Sequence, residues 1–284
     1  MRLIKMTGGL GNQMFIYALY LRMKSRYQNT RIDLSDMAHY HDHYGYELHR
    51  VFPNTEADEI SLPQWLKKIL EFLFFRTILE RHEHGSLRHY DGPVHWPLVY
   101  YKGFYQDLMY FDGCEEEIRR AFRFDTSKAG EQNMELIKQM EADPYSVALH
   151  VRRGDYMKPQ FYENIGRVCQ VPYYRRAIDE MSHLLPETHF YVFSEDVDWV
   201  RENLPLPEDA VFVNWNTGSD SWQDMLLMSH CHNNIICNST FSWWAAWLNA
   251  HSGKQVLCPD RWYANDNGNI PLYPNDWTRV STED

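Results

Sequence analysis

The sequence predicts an α/β protein of two domains, the second built on a parallel β-sheet covered on both faces. Three observations predict it: a length of 284 residues, a strand–glycine–helix opening, and a regular alternation of apolar runs with helically spaced segments from residue 146 onward. At roughly 100–200 residues per domain, this length suits two domains.

Taken in order, residues 3–6 are a short apolar run, 7–13 are glycine-rich and 14–21 are apolar on nearly all sides. They read as strand, loop and buried helix. Residues 31–60 and 82–100 are rich in His, Tyr, Asp and Pro without a period, and are expected to be loops. Residues 65–79 are the most apolar stretch, interrupted by Lys67, Lys68, Glu71 and Arg76. A spanning helix needs ~20 predominantly apolar residues, so this segment is expected to be a packed helix. The alternative is an interfacial helix lying on a membrane. A polar helical segment over 129–144 closes the first domain, giving expected domains of 1–143 and 144–284.

Beyond that boundary the pattern predicts strands at 147–151, 190–193, 211–213, 234–237 and 255–258, with helices at 172–185, 196–204, 221–231 and 241–250. Ligands of such sheets bind at the carboxyl ends of the strands. The loops after 151, 193, 213 and 237 are therefore where chemistry is expected.

The hydrophobic fraction of 44% and charged fraction of 24% are those of a globular chain, and the formal charge of −11 lacks the basic footprint of a nucleic-acid binder. The five cysteines are odd in number and form no C-x-x-C pair, which fits neither a disulfide framework nor a zinc site. With Lys5, Gly8 and Gly9 where a signal peptide would be continuously apolar, a cytoplasmic location is expected.

Three segments carry candidate chemistry. Thr7-Gly8-Gly9-Leu10-Gly11-Asn12-Gln13 lets backbone N–H groups approach an anion at a helix N-terminus. It fails the dinucleotide and triphosphatase fingerprints, so a plain tight turn is an equal reading. His150-Val151-Arg152-Arg153-Gly154-Asp155-Tyr156 sets two permanently charged planar forks at a strand end, suited to a pyrophosphate; an internal Arg–Asp salt bridge is the alternative. Asn238-Ser239-Thr240-Phe241-Ser242-Trp243-Trp244 opens a helix with hydroxyl side chains, either as a second anion cradle or as a capped helix with core tryptophans. Histidines at 39, 41, 43, 49, 82, 84, 89 and 95 lack metal-site spacing, and no metal is expected.

Together these three segments resemble the bacterial α-1,2-fucosyltransferases, in order, spacing and total length. The resemblance implies two Rossmann-like domains facing a cleft (GT-B type), with GDP-fucose bound mainly by the C-terminal one and a galactose-terminated glycan approached by the N-terminal one. It implies that His150 and Asp224 hold the guanine and that Arg152 contacts the pyrophosphate. Arg153 and Asp155 would shape the loop or approach the fucose, and Ser239, Thr240 and Ser242 would contact phosphate. Gly9, Gly11, Asn12 and Gln13 would face the cleft from the other side. The implied reaction is inverting and metal-free, with Arg152 stabilising the leaving group. Asp155 is the nearest motif carboxylate for a base, though it could equally orient Arg152. Competing readings are another fucosyl linkage, a non-catalytic GDP-sugar or glycan binder, and a dehydrogenase, the last disfavoured by the missing fingerprint.

Overall fold

The computed structural model describes residues 1–37, 44–79, 82–83, 86–87, 96–265 and 272–283. Two compact units, Met1–Asp125 and Thr126–Asp284, make up the chain. The division falls earlier than the expected boundary at 143/144. The helix over Glu131–Ala142 packs on the second unit, where Asn133 Nδ2 donates to Asn216 Oδ1 at 2.7 Å and to Gln223 Oε1 at 2.6 Å.

In the first unit β1 (Arg2–Lys5) leads into α1 (Leu10–Arg26), then β2 (Thr30–Asp33), α2 (Leu48–Val51), β3 (Glu59–Ile60), α3 (Gln64–Leu73), β4 (Arg76–Leu79), the small antiparallel pair β5 (His82–Glu83) and β6 (Ser86–Leu87), β7 (Val99–Lys102) and α4 (Glu115–Ala121). Its sheet has the order β3-β2-β1-β7-β4, all parallel. Helix α1 is buried on most sides, as its apolar run requires. The stretches expected to be loops carry β2, β3, α2 and β7, whose strands are too short to show a period. For the strands, pairing within the sheet settles them rather than local pattern: β2 and β7 flank β1, and β3 pairs with β2.

The apolar segment 65–79 is also not one helix: α3 ends at Leu73, and β-branched Thr77 and Ile78 follow in the edge strand β4. Lys67 is the buried residue of α3, its ammonium 2.8 Å from Asp36 and 3.5 Å from buried Asp33. The opposite face is apolar and bare, with Trp65 65% and Phe72 88% exposed, and Ile69 and Leu73 beside them. Among the described residues no helix is long and apolar enough to cross a membrane.

The second unit runs α5 (Glu131–Ala142), β8 (Ser146–Val151), α6 (Pro159–Phe161), α7 (Val171–Leu184), β9 (His189–Ser194), α8 (Val197–Asn203), β10 (Val211–Val213), α9 (Trp222–His230), β11 (Asn233–Ile235), α10 (Thr240–Leu248), β12 (Val256–Pro259) and β13 (Thr278–Val280). The strands lie where the sequence places them, with β13 added at the edge. Every pairing is parallel in the order β10-β9-β8-β11-β12-β13. Counted along this unit the order is 3-2-1-4-5-6, that of a doubly wound Rossmann half. Val147, Leu149 and Val151 share one core with Tyr173, Ile178, Met181 and Val200 of α7 and α8. By the two-residue period of a strand, Ala148 and His150 then face the opposite side of the sheet.

Candidate functional site

The strand order reverses between β8 and β11, and a doubly wound sheet opens its crevice at that point. The chain leaves β8 through His150-Val151-Arg152-Arg153 and leaves β11 through Cys237-Asn238-Ser239-Thr240. Two of the three candidate segments thus meet at one crevice although ~85 residues separate them. Tyr156 ties them together by donating to the Asn238 carbonyl at 3.0 Å. Gly166 supports that tie: a Cβ there would stand 2.0 Å from the Tyr156 carbonyl oxygen.

His150 is buried, with Nδ1 3.3 Å from Cys237 Sγ and its ring 6.0 Å from that of Phe241. Burial, with Arg152 nearby, pushes its pKa down to about 3, so the imidazole is neutral. Cys237 Sγ is in turn 3.8 Å from Ser242 Oγ, and burial raises the thiol's pKa. Ser239 caps α10, its hydroxyl accepting from Phe241 N at 3.4 Å, while Thr240 begins the helix at a half-buried position. Trp243 and Trp244 are fully buried, which makes them core. The capped-helix reading of this segment therefore holds: Ser239 caps α10, its first turn follows the end of β11, and its tryptophans anchor it in the core.

The arginines are not bare. Arg152 Nη2 donates to Asp155 Oδ1 at 2.7 Å, and its Nη1 donates to Glu195 Oε1. Arg153 Nε donates to Asp196 Oδ2 at 2.9 Å, and its guanidinium lies 3.8 Å above the Trp199 ring. The internal Arg–Asp pair weighed from the sequence is present. Glu195 and Asp196 were not singled out there, although they occupy the loop after β9, one of the four strand ends marked for chemistry. Their register supplies the reason: Val151 lies opposite Ser194, so Arg152-Arg153 and Glu195-Asp196 leave adjacent strands side by side.

Asp224 stands in the first turn of α9 and accepts from Asn216 Nδ2 at 2.8 Å. Burial raises its pKa to about 7, against the lowering effect of that hydrogen bond. Asn216 belongs to a polar cluster in which Trp215 Nε1 also donates to Asn133 Oδ1 at 2.7 Å. Residues 133, 215 and 216 carry no motif and are found only through the fold.

The third segment lies in the first unit, at the carboxyl end of β1. Gly8 has φ +82°, and a Cβ there would meet Asn12 at 2.8 Å, so this position requires glycine. Gly9 is the N-cap of α1 and offers no side-chain cap; Gly11 is buried within its first turn. Gln106, beyond β7, donates to Asn12 Oδ1 at 2.9 Å. Gln13 turns inward. Its amide donates to the Gly8 and Gly45 carbonyls at 2.9 and 2.7 Å and accepts from Glu47 N at 2.9 Å, which makes it a brace for the loop.

Of the eight loop histidines, His49 is the one whose side chain is described; it contacts Thr55 Oγ1 at 3.1 Å and Glu59 Oε1 at 2.6 Å. The side chains at 39, 41, 43, 82, 84, 89 and 95 lie outside the described residues. Among the described residues no three His, Cys, Asp or Glu are grouped to hold a metal ion.

Two parallel Rossmann-type units are the architecture of the GT-B fold class. The NodZ α-1,6-fucosyltransferase co-crystallized with GDP superposes with a TM-score of 0.55 at 14% identity, covering 87% of this chain and 92% of that one. The pattern of glycosyl transferase family 11 matches residues 3–280, and the chain belongs to that family. It is 29% identical to the O-antigen biosynthesis glycosyltransferase WbnK of Escherichia coli, over 92% of this chain and 95% of the relative. It is 28% identical to an α-1,2-colitosyltransferase of the same organism, over 97% of each.

Proposed function

We propose that the protein is an inverting galactoside α-1,2-fucosyltransferase, moving L-fucose from GDP-β-L-fucose to the 2-hydroxyl of a terminal galactose in an O-antigen, capsule or related glycan. The observation that carries this reading is the joining of His150, Arg152, Arg153 and the start of α10 at the switch point of the second unit, in a chain of family 11. In the proposed mechanism Arg152 stabilises the departing diphosphate, and Arg153, held by Asp196 and Trp199, keeps the loop in place. Ser239, Thr240 and Ser242 at the N-terminus of α10 contact phosphate, where helix N–H groups favour an anion. Neutral His150 and Asp224 hold the guanine. Asp155 orients Arg152, in keeping with its 2.7 Å hydrogen bond, and Gly9, Gly11 and Asn12 serve the acceptor side. Strong leaving-group stabilisation lowers the demand for a base, and no metal is needed.

The carrying experiment is GDP release from GDP-fucose in excess EDTA, with and without a β-galactoside such as lactose. Acceptor-dependent release with an α-1,2 product supports the reading. If GDP does not bind at all, the reading falls. The likeness to a colitosyltransferase favours one second reading, colitose as the sugar moved, and supplying the colitosyl donor in the same assay separates the two.

A carboxylate that accepts from the guanine N–H groups must be ionised. Because Asp224 has its pKa raised to about 7, GDP affinity is expected to rise from pH 5 to pH 8 and then level. The phosphate's own ionisation is subtracted by running Asp224→Asn in parallel, which should lack this component. Matching profiles for the two proteins in titration calorimetry would remove Asp224 from the guanine site.

The proposed location is the cytoplasm, peripheral to the inner face of the membrane. Support comes from the bare apolar face of α3 with Lys68 and Arg76 beside it. The protein is expected to co-sediment with vesicles containing anionic lipid, and Phe72→Ser to weaken this by up to about 30-fold, since each large apolar side chain contributes about 2 kcal/mol when buried. Equal recovery of both proteins in the supernatant would dismiss the association.

A further inference from the structure

We infer that Glu195 competes with the donor's diphosphate for Arg152: the carboxylate and the phosphate oxygens seek the same guanidinium nitrogen, and one is exchanged for the other when donor binds. This rests on the proposed function for the identity of the anion.

Charge makes an exchange necessary. Arg152 and Arg153 are met by three carboxylates, Asp155, Glu195 and Asp196. Two positive charges against three negative ones leave an excess negative charge at the place where a diphosphate must enter. An anion can displace one carboxylate from Arg152 but cannot sit beside all three, because like charges a few ångströms apart repel strongly at the moderate dielectric of a protein surface.

Geometry selects the one that leaves. Asp155 is three residues from Arg152 and lies in the short turn Gly154–Met157, which keeps its side chain next to that guanidinium. Asp196 caps α8 by accepting from Trp199 N at 3.2 Å, and moving it would uncap that helix. Glu195 caps no α-helix among the described residues. Its other oxygen is reached by Arg153 N at 3.4 Å, and its side chain is 40% exposed against 28% for Asp155. With three rotatable bonds it can turn out to water and leave one fork of Arg152 to the ligand.

Gly154 gives independent support. Its φ lies outside the left-handed region, so the backbone does not demand glycine, yet a Cβ there would stand 3.2 Å from Glu195 Oε1. A side chain there would require Glu195 to shift by a few tenths of an ångström where it meets Arg152.

The exchange opposes binding, so removing the competing carboxylate should tighten it. By calorimetry on the full chain, Glu195→Gln is expected to bind GDP about tenfold more tightly, in keeping with the loss of one close charge–charge competitor. The gain should fall for GMP and vanish for guanosine. Gly154→Ala, which presses lightly on Glu195, should shift GDP binding in the same direction by a smaller factor. A carboxylate that only braces the fold would instead leave all three ligands equal or weaken them alike. Unchanged or weaker GDP binding by Glu195→Gln, at an unaltered melting temperature, overturns the inference. Inorganic pyrophosphate makes the test independent of the nucleotide. If wild type ignores GDP but Glu195→Gln gains pyrophosphate binding, the exchange stands and the donor assignment falls. If neither protein binds either ligand, both fall.

Discussion

Arg152→Ala is expected to lower turnover by about 10²- to 10³-fold, as removal of a leading electrostatic donor does in other enzymes. The guanidinium sits at the carboxyl end of β8, beside the point where the strand order reverses. In the proposed reaction, charge developing on a departing diphosphate would be met there by a fork that Asp155 orients at 2.7 Å. The interaction strengthens as the sugar–phosphate bond breaks, so the loss should fall on kcat as well as on donor affinity. Arg152→Lys keeps the charge but not the planar fork, and should recover a small part of the rate. Steady-state kinetics with GDP-fucose and lactose would check this. Near-normal kcat in the alanine variant would move leaving-group stabilisation to another residue.

The second large effect is on stability. Trp243→Ala should destabilise the second unit by about 3–5 kcal/mol, the range for emptying a large aromatic from a core. Trp243 is fully buried, donates from Nε1 to the Leu272 carbonyl at 3.1 Å, and packs on Trp244 at 5.0 Å and Trp277 at 5.6 Å between ring centroids. The variant thus loses packing and also orphans a carbonyl. Trp243→Phe should be intermediate. Urea unfolding followed by fluorescence reads the difference, and GDP affinity of the fraction still folded should stay near that of wild type. A shift under about 1 kcal/mol would show that this tryptophan does not carry the core.

The second unit was legible because its signals are local. Residues 147–151 and 190–193 are short apolar runs between helically spaced segments, and alternation of that kind has few solutions other than a parallel sheet covered by helices. Much of the first unit was not. β2 and β3 lie in a stretch without period, and β4 lies under an apolar run that reads as continuing helix, because strands of two to four residues are defined by their neighbours.

The candidate site divides in the same way. His150, Arg152, Arg153 and Ser239 stand out because charge and small polar residues at strand ends are unusual in apolar surroundings. The sequence by itself determined the family resemblance, the parallel α/β alternation of the second unit and the placing of two arginines at the end of that unit's first strand. Tertiary structure alone decided that Glu195 and Asp196 cover the arginines, that Gln13 braces its loop, and that Asn216 is the partner of half-buried Asp224. The physical reason is that a residue's chemical type is written in the chain. Its partner is set by strand register and helix packing, which bring together positions tens of residues apart.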